Sequence, residues 1–161
     1  MKNAILGLTT AVLALSGLSS AHADTFTPPS STSVFTGTVG FSSGSLTLSC
    51  TMTVTIIANG GGTDAWVSAA TLGSGLCSLF PPTNFTWNID VTAPLPPPTG
   101  VTATQIKVAN VQAGPCGPGD LLANWNSSGP SITFPIGTML SSCRIQGTLT
   151  QSSGPSLAIT N

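Results

Sequence analysis

Residues 45–56, SLTLSCTMTVTI, alternate without a break. Leu46, Leu48, Cys50, Met52, Val54 and Ile56 fall on one face, and Ser45, Thr47, Ser49, Thr51, Thr53 and Thr55 on the other. Period-two alternation of this length is a β-strand with one face buried. The threonine face suits both strand propensity and water. Upstream, Phe35, Gly37, Val39 and Phe41 repeat the pattern, and Ser42-Ser43-Gly44 reads as a hairpin connection. Downstream, Ala65 to Leu72 alternates weakly after Gly60-Gly61-Gly62, and Phe85, Trp87, Ile89 and Val91 share a face.

Val101 to Val111 also reads as extended. Val101, Ala103, Gln105, Lys107, Ala109 and Val111 lie opposite Thr102, Thr104, Ile106 and Val108. Ile132, Phe134 and Ile136 form a short strand that Pro135 interrupts, which places it at a sheet edge. Met139, Ser141, Cys143, Ile145, Gly147 and Leu149 line one further face, and Leu157 and Ile159 close the chain as a terminal strand. Pro94 to Pro98 lacks the backbone donors of a central strand and reads as a stiff connection. No segment after residue 23 sustains a 3.6-residue period. The expectation is all-β: a single disulfide-stapled β-sandwich or Greek-key barrel.

Residues 1–23 read differently. Lys2 precedes an apolar run from Ala4 to Leu18, and Ala21-His22-Ala23 has the small-x-small form of a cleavage site. These are the parts of a secretory signal peptide. The expected organisation is therefore a signal peptide over 1–23 and one β-domain over 24–161, secreted or cell-surface associated, with no membrane span in the mature chain.

Composition narrows the chemistry. Only 4% of the 161 residues are charged, against about a quarter in ordinary soluble domains. From Asp24 onward the charged side chains are Asp24, Asp64, Asp90, Asp120, Lys107 and Arg144, and histidine, glutamate and tyrosine are absent. No basic cluster exists to neutralise phosphates, so nucleic acid is excluded as a partner. A Ser-His-Asp triad is excluded for want of a histidine, and no pair of carboxylates stands in a glycosidase motif. Asp64 and Asp120 read as solvated turn residues, though each could offer one oxygen to a calcium ion. The expectation is no catalytic residue, no cofactor and no metal. Serine and threonine supply 40 of the residues from Asp24 onward. Solubility then rests on hydroxyls rather than charge, which leaves little repulsion against self-association.

Cys50, Cys77, Cys116 and Cys143 are an even set in an exported chain and point to disulfides. The spacing from Cys50 to Cys77 equals that from Cys116 to Cys143. Of the three possible pairings, the sequential one is favoured. Trp87 shares a face with Ile89 and Val91 and belongs to the core, and Trp66 has small neighbours that suit packing. Trp125, between Asn124 and Asn126, is the candidate surface contact.

The strand SLTLSCTMTV, the later GSGLCSL and the tryptophan-bearing NFTWNI together resemble the small secreted bacterial activators of alkane oxidation of the PraA/PraB type. That resemblance implies an extracellular, non-enzymatic protein that promotes growth on hydrocarbons by emulsifying or adhesive action, with biofilm association. The implied partner is a hydrocarbon or cell-surface interface. Two other functions fit the composition: an adhesin or fibre subunit of the extracellular matrix, and a secreted carbohydrate-binding module with Trp125 as its platform.

Overall fold

The computed structural model describes residues 24–92 and 103–160. The signal-peptide reading and the proline-rich connection lie outside the described residues. Eleven strands follow one another: β1 (Thr25–Thr27), β2 (Thr32–Ser43), β3 (Leu46–Ala58), β4 (Ala65–Leu72), β5 (Pro82–Thr83), β6 (Trp87–Val91), β7 (Ala103–Ala113), β8 (Cys116–Asn126), β9 (Ser131–Leu140), β10 (Cys143–Ser153) and β11 (Ala158–Thr160). A 3-10 turn, Gly75–Leu79, sits between β4 and β5.

Eight of these strands close into a barrel. β2, β3, β4, β6, β7, β8, β9 and β10 each pair antiparallel with the next, and β10 returns to β2 from Cys143↔Ser43 to Ser153↔Val34. The architecture is thus an up-and-down barrel, and the sandwich and Greek-key expectations are corrected. Strands adjacent in the wall follow one another along the chain, apart from the short β5, and long twisted strands curl the sheet until its first and last members meet. Close approach at the closing seam depends on Gly37, where a Cβ would collide with the Thr148 carbonyl.

The alternation of the sequence becomes the two sides of the wall. Phe35, Val39, Phe41, Cys50, Met52, Val54 and Ile56 point inward and are buried. Outward, Ser131, Thr150, Thr36, Thr53 and Thr71 stand in register across five strands. Thr36 and Thr53 hydroxyls lie 3.2 Å apart, and those of Thr133 and Thr148 3.1 Å apart. A barrel that spans a membrane turns apolar residues outward. This wall has the opposite polarity.

β7 changes phase partway. Ile106 and Val108 are buried, and so is Val111, because a register shift at left-handed Asn110 (φ 62°) intervenes. The single continuous face read from Val101 to Val111 is therefore corrected. Lys107 points outward, 3.0 Å from Asp90 and 4.0 Å from Asp120.

One end of the barrel is stoppered by β1 and β11. β1 and β11 form a two-stranded sheet with Phe26 opposite Ile159, and Phe26, Leu157 and Ile159 are buried. Gln151 holds the returning segment: its amide donates to the Pro155 carbonyl at 2.6 Å and its oxygen accepts from the Leu157 N–H at 3.0 Å. Toward the other end lie both disulfides, Cys50–Cys77 and Cys116–Cys143. The described residues hold no free cysteine.

Candidate functional site: an apolar ridge on the barrel wall

Barrels of eight strands either fill their lumen with side chains or hold one small ligand. Here Trp87, Trp125, Phe35, Phe41 and Phe134 fill it. The interior voids measure ≈ 10 and ≈ 20 Å³, about one water at most. Binding a small molecule takes a pocket of about 300–1,000 Å³. Neither of these voids has room for a small molecule, so a contact by the described barrel is one made with its outer wall.

Trp125 does not make that contact. It is fully buried, with Phe35 at 5.3 Å and Phe26 at 6.2 Å between ring centroids. The exposed-platform expectation is corrected, and the reason is phase. Leu121, Ala123 and Trp125 are the inward positions of β8, so the flanking Asn124 and Asn126 mark the outer face rather than an exposed tryptophan. The Trp125 indole N–H is buried without a partner. Trp87 is also buried; it donates to the Thr83 carbonyl at 2.8 Å and stacks on Phe85, itself partly exposed. Trp66 is the outward-facing tryptophan, half-buried on β4 opposite Ile57 and Asn88.

The four cysteines are placed as two bridges at one end, each with a sequence separation of 27. Asp64 accepts from Asn59 Nδ2 at 2.7 Å and from the Thr63 hydroxyl at 3.0 Å. Asp120 accepts from the Asn110 N–H at 3.3 Å. These carboxylates stand apart, each serving its own turn or bulge. Lys107 has its pKa raised above the usual 10.5, first by its hydrogen bond with Asp90 and then by the Asp90 charge.

The prominent surface feature lies in β9. Phe134 pairs with Gly147 and Thr138 with Ile145, so Pro135, Ile136 and Gly137 together face Gln146 alone. The extra residues must bulge out. Pro135 has no N–H to lose from the ladder, and Gly137 adopts φ 92° at no steric cost. Ile136 consequently projects from the wall, 92% exposed. The strand read as a sheet edge is in fact internal, between β8 and β10. Pro135 marks a bulge there, and that corrects the edge assignment.

Ile136 is not isolated. Leu122 (48% exposed) and Met139 (46%) line the same trough, ≈ 470 Å³, between β8 and β9. A second trough of ≈ 620 Å³ runs along the other flank of the ridge, over Gly40 and Gln146 toward Thr47 and Ser49. Among the residues lining both troughs, Asp120 alone is charged. Leu76 and Leu79 on the 3-10 turn are also exposed. Sequence reasoning missed Ile136 as a surface group; the triplet Pro-Ile-Gly inside an alternating strand was the available signal.

These features define a class: a disulfide-stapled, solid-cored β-barrel with a hydroxyl-covered wall and an apolar ridge outside it. The chain belongs to the alkane oxidation protein activator family, PraA/PraB-like, whose family model matches residues 1–159. No curated protein and no solved structure matches the chain.

Proposed function

We propose that this protein is an exported, non-enzymatic activator of alkane oxidation that works by adsorbing to hydrocarbon surfaces and to the cells that use them. The observation that carries the reading is the Ile136 ridge on a barrel whose interior is already full. Apolar surface removed from water is worth about 25 cal/mol per Å², so a projecting isoleucine with Leu122 and Met139 beside it provides a foothold on oil. Few charges mean little lateral repulsion in a film. Two disulfides favour an oxidising compartment and a domain that keeps its fold on adsorption. Family membership supplies the link to alkanes. Association with a biofilm matrix is a further part of this proposal.

The test is hexadecane–water interfacial tension with the chain from Asp24 onward. The wild-type protein is expected to lower the tension, with little effect of salt. Ile136→Ser combined with Met139→Ser is expected to slow the fall severalfold while leaving the fold intact, since both side chains are exposed. A wild-type protein that adsorbs no better than a charge-rich control of equal size would overturn the reading.

A further inference from the structure

We infer that the larger trough is a binding site for one free long-chain carboxylate, with Arg144 holding the head group and the Ile136 ridge flanking the tail. The inference rests on the alkane reading for the aliphatic character of its ligand and adds an anionic end to it. Arg144 is an outward, exposed residue of β10. The ion pairs among the described residues both belong to Lys107, and no carboxylate among those residues pairs with Arg144. Its place is at the trough. Arg144 stands in register with Ser42 on β2, and Ser42 with Thr47 on β3. Thr47 lines the trough, as does Gln146, the next outward residue of β10. A guanidinium in one row with two hydroxyls offers the forked N–H and O–H donors that a carboxylate takes.

From that row the trough continues over Gly40, which contributes no side chain, along the flank of Pro135 and Ile136. Its volume of ≈ 620 Å³ falls within the range of about 300–1,000 Å³ for small-molecule sites. None of the residues lining it is charged, so a tail laid there meets no ion beyond its own head group. Asp120, the acid at the ridge, lines the opposite trough and stands 4.0 Å from Lys107. A bare alkane gains nothing from Arg144. A chain whose terminal methyl has been oxidised to a carboxylate does. An exposed ion pair is worth little by itself, so the tail supplies most of the affinity and Arg144 selects the oxidised end.

Titration calorimetry with amide chemical-shift mapping tests this on the chain from Asp24 onward, using decanoate, laurate and decanol below the concentrations at which they aggregate. One decanoate is expected to bind per chain and to shift Gly40, Thr47, Ile136 and Gln146. It is expected to bind about fivefold tighter than decanol, the worth of an exposed charge pair. Arg144→Gln is expected to erase that preference and Lys107→Gln to leave it. Laurate is expected to bind about fourfold tighter than decanoate, because each added methylene in an open trough gains about half its full burial value. Ile136→Ser and Gly40→Thr are expected to weaken all three ligands. A Cβ at Gly40 would press first on the flexible Gln146 side chain, at 3.3 Å, so the fold is kept while the floor of the trough fills. Decanoate that binds no tighter than decanol overturns the inference. So does a preference that survives Arg144→Gln or falls equally with Lys107→Gln, and so do shifts confined to the opposite trough. A chain that adsorbs to hexadecane but leaves decanoate unbound overturns the inference while the alkane reading stands. One that binds decanoate through Arg144 and Ile136 but does not adsorb keeps the site and overturns the adsorption.

Discussion

Cys116 and Cys143 are joined across the part of the barrel where β8 and β9 run side by side without a ladder. Pairing between those strands covers only Asn124–Asn126 against Ser131–Thr133. Below it the β9 bulge pushes the strands out of register, and the disulfide ties the start of β8 to the start of β10. The bridge does there what hydrogen bonds do elsewhere around the wall. Replacing both residues with serine is expected to cost ~3.5 kcal/mol in the chain-entropy model. It is also expected to speed amide exchange in residues 119–123 and 134–139. The same change at Cys50 and Cys77 should cost a similar amount but leave exchange along this seam unchanged. Urea unfolding with hydrogen-exchange mass spectrometry measures both.

Trp125 packs between Phe26 and Phe35 at the stoppered end. Trp125→Ala is expected to cost about 3–5 kcal/mol, as large-to-small core changes do. Trp125→Phe should cost less, because it removes the indole N–H that is buried without a partner. Acrylamide quenching of single-tryptophan variants provides the check. Trp66 should be quenched readily, and Trp125 hardly at all unless the protein unfolds.

Gln151 gathers the Gly154, Pro155 and Leu157 backbone into one clamp. Gln151→Ala is expected to lower stability by about 1–2 kcal/mol through lost hydrogen bonds. The larger effect should be local, with faster proteolysis between Ser153 and Thr160. Mass mapping of limited digests reads this directly. Equal digestion of variant and wild type would show that Leu157 and Ile159 hold the segment unaided.

Lys107 is the group whose titration bears on stability. Its pKa is raised by Asp90, so folding favours the protonated amine. The contribution is fully present below the amine's unfolded value and is lost as pH rises through the higher folded value. Stability is therefore expected to decline above about pH 10.5, by a small amount because the pair is at the surface. Lys107→Met should remove this alkaline step. Chemical denaturation midpoints measured from about pH 9 to about pH 11.5, a range set by the usual lysine pKa of 10.5, provide the measurement.

Local alternation was legible because it records a local fact: which side of a strand meets water. Leu46 to Ile56 could be assigned face by face for that reason, and the equal cysteine spacings suggested the pairing that the structure holds. The same rule, applied strictly to β8, turns Trp125 inward, and its asparagine neighbours are simply the other face. Closure of the wall was not legible. Sandwich and barrel strands share one pattern, and the choice rests on β10 meeting β2, a contact between segments about a hundred residues apart. Nor could alternation place Ile136. A bulge slips the register on one strand only, so a side chain that counts as inward by parity emerges on the surface. The sequence carries the faces because burial acts residue by residue; tertiary structure decides closure and the ridge, because both depend on how distant strands are matched.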